Sequence, residues 1–329
     1  MPQPIPVLIL FGPTASGKTD VLERLFTGEA PVCAAEIVSA DSMQVYRGMD
    51  IGTAKPSPRL RAQLPHHLID IREPNEPFNV GDFVRLADLC CADIAARGNI
   101  PVLSGGTGFY LKHFVHGMPA APPSDADIRR ELKAELLTHG VNRLAEELAA
   151  CDPPSAARIH RNDEYRLLRA LEVYRLTGRP LSAFAATAST GARRQYRFLM
   201  VGLEHSREAL YARINARAAA MFRAGLADEV RRLFAAGYTP RDPGLRAIGY
   251  QEFFEEAADG AFSLKRDLAE VETLVARNSR RYAKRQNTYF ASLADTELEG
   301  QPPVHRLSAG GDPSAALCAE LAALRKNLS

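Results

Sequence analysis

Eight residues, Gly12, Pro13, Thr14, Ala15, Ser16, Gly17, Lys18 and Thr19, constrain this chain more than any other stretch. They match G-x-x-x-x-G-K-[ST], directly after the apolar run Val7 to Phe11 and directly before an amphipathic stretch from Lys18 to Phe26. Strand, glycine loop and helix in that order open a parallel α/β sheet. Each position has a chemical reason. Glycines let backbone N–H groups curl round phosphate oxygens, and the following helix adds partial positive charge. Lys18 supplies a point charge, and the Thr19 hydroxyl is suited to Mg2+. The loop predicts polyphosphate binding but does not say whose polyphosphate.

The same alternation continues. Glu36 to Ala40 reads as a second strand, His67 to Ile71 as a weaker third, and Ile100 to Leu103 as another, ending at Gly105-Gly106. Between them, Asp82 to Arg97 carries apolar residues at helical spacing and stops at Gly98. Short apolar strands alternating with helices imply a parallel sheet covered on both faces. After Ala120-Ala-Pro-Pro-Ser124 the pattern turns helical, with start signals at Ser124 and Asp163 and stops at Gly140 and Gly178. Arg197 to Leu203 reads as a returning strand, and Ser206 to Gly225 opens another helix. The remainder to about Phe290 reads as helical, the tail beyond Gly300 as peripheral, and Ala183 to Gly191 as flexible. The domains expected are residues 1–123 with 195–329 as the core, and 124–194 as an inserted all-helical lobe.

Composition excludes more than it announces. No run of about 18 apolar residues occurs, so no membrane-spanning helix is expected. The five cysteines form no C-x-x-C pair, which fits a cytoplasmic protein without a disulfide framework. A net charge of +2 does not by itself point to nucleic acid. Between Arg277 and Asn287, however, five residues are basic and none acidic, and Arg277, Arg281 and Lys284 fall at i, i+4, i+7 on one helix face. That stripe is either a solvated surface or a phosphate-binding one. His66, His67 and His160 lack companion ligands and read as structural.

An ordinary reading of the loop is an ATP-binding kinase or NTPase. Asp41, just beyond the second strand, lies where open α/β sheets bind ligands. It is suited to binding magnesium, acting as a general base, or capping the next turn. Asp70 is a rival with a weaker position. Arg213 and Arg217 lie four residues apart on one helix face, either as exposed charges or as ligand contacts.

Several longer blocks carry a resemblance. GPTASGKT from Gly12, ADSMQVYRGMDIGTAKP from Ala40, GGTGFY from Gly105, ARIHRNDEYRLLRALEV from Ala157, AIGYQE from Ala247 and YAKRQ from Tyr282 are similar, in order and spacing, to the tRNA dimethylallyltransferase family. The likeness covers roughly residues 7 to 290. Tyr289 stands where the family usually places Trp, and Ser279 where Thr is common.

The resemblance implies a P-loop NTPase-like core with a helical insertion that binds the tRNA anticodon arm, and a loop that holds dimethylallyl diphosphate in place of ATP. The implied reaction transfers the dimethylallyl group to N6 of the adenosine 3′ of the anticodon, with Asp41 as base, Arg217 stabilising the leaving diphosphate, and Thr107 binding substrate or the base. Implied tRNA contacts are Asp41, Ser42, Met43 and Gln44; Thr107 and Arg129; Tyr165, Arg166, Leu167, Leu168 and Arg169; Arg246, Ala247, Ile248, Gly249, Tyr250 and Gln251; and Lys284 and Arg285, with Gln286 beside them. A monomer is expected. A nucleoside or nucleotide kinase is the alternative, and a non-catalytic P-loop module or a prenyltransferase of free adenine nucleotides are further ones.

Overall fold

The computed structural model describes residues 3–29, 31–118, 121–186, 195–294, 304–308, 317–318 and 321. Two compact units emerge, one from residues 1–115 with 191–329 and one from 116–190. The second begins eight residues before the expected start of the lobe, because its first helix-linking segment belongs with it.

The first unit opens with β1 (Ile5–Phe11), α1 (Lys18–Phe26), β2 (Ala35–Ser39), α2 (Pro58–Gln63), β3 (His66–His67), α3 (Val80–Ala96), β4 (Ile100–Gly105) and α4 (Gly108–His116). The helical unit then contributes α5 (Ala126–Cys151), α6 (Pro153–Arg158), α7 (Glu164–Thr177) and α8 (Leu181–Ala186). The chain returns through β5 (Tyr196–Glu204), α9 (Arg207–Arg223), α10 (Leu226–Ala235), a hairpin of β6 (Phe254–Glu256) and β7 (Phe262–Leu264), α11 (Leu268–Ala294) and β8 (His305–Ser308). The main sheet runs β3-β2-β4-β1-β5-β8 with every pair parallel.

Alternation along β1 explains why this sheet needs helices on both faces. Val7, Ile9 and Phe11 pack with Phe83, Ala87 and Ile94 of α3 and with Leu111 and Phe114 of α4. Leu8 and Leu10 face the other way, onto Val21, Leu22 and Leu25 of α1. With no polar face, the strand is stable only in the middle of a sandwich.

Three expectations need correction. The tail is not peripheral: β8 pairs with β5, and Leu317 and Leu321 are buried in the α1-side core. A four-residue strand so far along the chain from the rest of its sheet offers no periodicity to read. The stretch between α10 and α11 is not helical throughout. It holds two single 3₁₀ turns and the β6–β7 hairpin, with Gly260 at φ 80° in the turn. The third strand shrinks to two residues, since Leu68 and Asp70 take positive φ and leave the ladder. As for the flexible Ala183 to Gly191, residues 183–186 lie in α8 and 187–191 fall outside the described residues.

The helical unit has its own core of Leu132, Leu144, Leu148, Leu167, Leu168 and Leu171. Asp125, one residue after the expected Ser124, caps α5 through Asp127 and Ile128, while Ser124 donates to Glu172. Asp163 caps α7, and Gly178 ends it in the left-handed conformation. Gly140, non-helical at φ 77°, stops a first helix within the α5 range as expected, and a second helix continues past the kink to Cys151.

Candidate active site

The C-terminal ends of β1, β2 and β4 bring three turns together at one sheet edge. The first is the glycine loop, where Gly17 at φ 89° precedes α1 and Ala15 takes φ 63°. A left-handed alanine costs about 1–2 kcal/mol, a strain that such loops hold at functional sites. The second turn carries Asp41. The third is Gly105-Gly106-Thr107, where a Cβ on Gly105 would fall 2.0 Å from the Ala40 carbonyl oxygen. Only glycine allows β2 and β4 to approach so closely there.

Lys18 Nζ donates to Gly12 O at 2.8 Å, Pro13 O at 3.0 Å and Ser16 Oγ at 3.4 Å. Burial, and then the charge of Arg217, lower its pKa to about 7, with Asp41 opposing. Burial lowers the pKa of Arg217 too, again with Asp41 opposing. Among the described residues, Arg217 makes no hydrogen bond and no ion pair. A half-buried guanidinium on a cavity wall, without protein partners, marks a place for an anion.

The cradle is a cavity of about 430 Å³ that includes the loop from Thr14 to Asp20, with Ser39, Gly106 and Arg213. Beside it lies a second cavity of about 340 Å³, walled by apolar Ile214, Ala218, Met221 and Val275 and by polar Arg246, Gln251 and Arg285. The two share Thr14, Ala15, Asp41, Thr53, Arg217 and Tyr282. Asp41 thus sits where a phosphate compartment meets a largely apolar one. Its Oδ1 accepts from Met43 N at 2.9 Å and Gln44 N at 3.3 Å, so it also caps its own turn.

Thr107 lines neither cavity. Its Oγ1 accepts from Ser42 N at 3.1 Å, and its N–H donates to Ala40 O, so it props the Asp41 turn from behind. The rival carboxylate, Asp70, is spent on Lys55 at 2.5 Å and Arg61 at 2.8 Å. His66, His67 and His160 each engage a protein partner: Leu64 O, Glu36 and the Asn162 amide. No cluster of metal-binding side chains occurs among the described residues. For magnesium the oxygen donors that fit are Thr19, exposed at the cradle, with Ser39 and Asp41 on its wall, all hard ligands of the kind that ion takes.

Of the other expected contacts, Ser42, Met43, Arg246, Ala247, Ile248, Gln251 and Arg285 line the second cavity. Several do not present a side chain. Tyr250 is fully buried with its hydroxyl on Glu229 at 2.6 Å, and the Gly249 N–H donates to Glu252. Gln44 lines the phosphate cradle, where Ser39, Thr53 O and Ala54 O hold its amide. Leu167 and Leu168 belong to the core of the helical unit. Arg129 and Arg169 close on Glu172 at 2.7 and 3.2 Å instead of standing open, while Tyr165 and Arg166 are exposed. Gln286 does not share the exposed face of Lys284; it is buried against the glycine loop, on the wall of the phosphate cradle.

Tyr282 is not among the expected site residues, although periodicity marks it. Val275, Ser279, Tyr282 and Gln286 recur at i, i+4, i+7, i+11 on α11, facing inward, while Arg277, Arg281 and Lys284 lie exposed on another face. Burial and the nearby Asp41 charge raise the Tyr282 pKa to about 12, so its phenol stays protonated. His205, whose ring meets Ser16 O at 2.8 Å, carries no local sequence signal, whereas Arg213, paired by spacing with Arg217, holds Ala15 O at 2.7 Å.

Sheet order, loop and edge cavities define a P-loop-type α/β protein whose phosphate cradle opens beside an apolar compartment. The family model for IPP transferase matches residues 44–293. The tRNA dimethylallyltransferase of Geobacter sulfurreducens is 46% identical over 284 residues, 86% of this chain and 88% of that protein. That of Halorhodospira halophila is 43% identical, over 90% of this chain and 95% of that protein. The full-length tRNA isopentenylpyrophosphate transferase of Bacillus halodurans superposes with a TM-score of 0.63 at 36% identity, covering 98% of this chain and 97% of that one. A eukaryotic dimethylallyltransferase acting on tRNA shares the fold, with a TM-score of 0.80 at 24% identity over 98% of this chain and 80% of that one. This chain belongs to the IPP transferase family.

Proposed function

We propose that the protein transfers a dimethylallyl group from dimethylallyl diphosphate to N6 of the adenosine 3′-adjacent to the anticodon in tRNA. The names of the curated relatives support the reaction, and one observation carries the local reading: Asp41 stands on the wall common to the phosphate cradle and the apolar compartment. The diphosphate lies against the loop amides, Lys18 and Arg217. The five-carbon group reaches past Asp41 towards Ile214, Ala218 and Met221. The adenine, taken out of its stack, enters the second cavity from the side of Arg246 and Gln251.

Chemistry follows from that placement. An exocyclic amine is a weak nucleophile, so its attack on C1 of the donor needs a base. As the N6–C1 bond forms, the N6 proton passes to Asp41, and the C1–O bond breaks with its electron pair leaving on the diphosphate. Lys18 and Arg217 stabilise the charge that develops there. Magnesium bound near Thr19 would supply further positive charge to the diphosphate. The exposed Arg277, Arg281 and Lys284 suit tRNA phosphates, and the helical unit is assigned to the anticodon arm. No helix among the described residues is long and apolar enough to cross a membrane. We place the protein in the cytoplasm as a monomer.

The test is direct. Purified protein, magnesium, labelled dimethylallyl diphosphate and unmodified tRNA should yield prenylated adenosine after digestion of the RNA. Labelled ATP in parallel should be left intact. Phosphate transfer from ATP without prenylation would replace this reading with the kinase one.

A further inference from the structure

We infer that Gln286 is a positioning residue for the transfer, one that sets the distance between the donor loop and the Asp41 turn; this rests on the function proposed above. Its side chain is 5% exposed, and its single amide spans two backbone segments. Oε1 accepts from Thr14 N at 2.9 Å, and Nε2 donates to Gly106 O at 2.7 Å. Gly106 leaves the room for this, since a Cβ there would lie 2.5 Å from Nε2. From Gly106 the connection continues through Thr107, which holds Ser42 N by its hydroxyl and Ala40 O by its N–H.

Among the described residues, the geometry gives this amide a task that no neighbouring side chain shares. The donor loop follows β1 and Asp41 follows β2, and β4 lies between them in the sheet, so the two turns stand roughly 10 Å apart by strand spacing. Arg213 and His205 also hold the loop, at Ala15 O and Ser16 O, but both come from the β5–α9 side. Lys18 bonds within the loop itself. Among the described residues, Gln286 is the side chain whose hydrogen bonds join the loop to the β4 turn behind Asp41. A misplacement of about 1 Å between reacting groups costs on the order of 10²-fold in rate. The amide therefore belongs to the alignment of donor and acceptor, not only to folding.

Two variants test this. Gln286→Met keeps the length and removes both hydrogen bonds. At saturating donor its kcat should fall by about 10- to 100-fold, while KM for dimethylallyl diphosphate and Kd for tRNA stay within about threefold. Gln286→Glu keeps the acceptor for Thr14 and sets a carboxylate oxygen against Gly106 O. Protonation of the introduced carboxyl restores the donor, so the variant-to-wild-type ratio of single-turnover rates should rise as pH falls from 8 to 6, without a matching change in tRNA affinity. A Met variant with kcat within twofold of wild type overturns the inference. If the Met variant fails to fold, a flat ratio for the Glu variant does the same. Wild-type protein that transfers no prenyl group overturns the proposed reaction itself, and this inference with it.

Discussion

The arginines of the helical unit and the cations of the sheet edge are the same chemistry put to opposite use. In the helical unit, Arg129 and Arg169 converge on fully buried Glu172, and Arg175 clamps Glu135 and Glu147. Burial would raise the pKa of Glu172, but bonds from Ser124, the Asp125 amide, Arg129 and Arg169 outweigh it and hold the carboxyl below its ordinary range. At the sheet edge, Lys18 bonds only to oxygens of its own loop, and Arg217 bonds to nothing among the described residues. A cation paired with a carboxylate of its own protein stabilises a fold, and one left without an ion pair on a cavity wall is kept for a ligand.

From that contrast, substitutions at the sheet edge should cost activity and substitutions in the helical unit should cost stability. Asp41→Ala should cut single-turnover transfer by about 10²–10⁴-fold and leave tRNA binding within a few fold; wild-type turnover would remove Asp41 as the base. Glu172→Ala leaves two guanidinium groups facing a cavity and should cost about 3–5 kcal/mol in denaturant unfolding. The wild-type contribution of this carboxyl has a definite sign with pH. Its folded pKa is depressed, so its stabilisation is present above the unfolded value and lost as pH falls through the folded one. An acid limb as steep in Glu172→Ala as in wild type would contradict this.

Replacing Lys284 and Arg285 with alanine probes the outer face of α11 and the cavity rim. For each tRNA phosphate that the variant no longer neutralises, the slope of log K against log salt should flatten by about 0.7–0.9, and an unchanged slope would place the tRNA elsewhere. The smallest effect expected concerns Lys18. With a pKa of about 7 in the free protein, it is half charged at neutral pH, and a bound diphosphate favours the charged form. Donor affinity should fall as pH rises above 7, by at most about tenfold per pH unit. Lys18→Arg, charged throughout, should show a flatter profile; parallel profiles would assign the titration to the ligand.

Legibility in the sequence divides along the same line. The glycine loop is contiguous, its amides and lysine act within eight residues, and its flanking strand and helix show by period. The two-sided sheet followed from β1, β2, β4 and β5, all apolar enough to need cover on both faces. The roles of Tyr250, Leu167 and Leu168 were not legible, because a short block such as AIGYQE does not say which of its side chains turns inward. Nor was β8 legible, since a four-residue edge strand is chosen by the partner it finds.

What the chain determined alone is local: an anion loop between a strand and a helix, a carboxylate just past a strand end, and two faces on α11. The tertiary structure decided what is relational. It set Asp41 on a wall between two cavities, consigned Asp70 to Lys55 and Arg61, turned Arg129 and Arg169 onto Glu172, and brought Gln286 across 272 positions to Thr14. Sequence spacing fixes which side chains share a turn or a helix face. Which charges stay unneutralised depends on distances between segments far apart in the chain, and only the folded packing sets those.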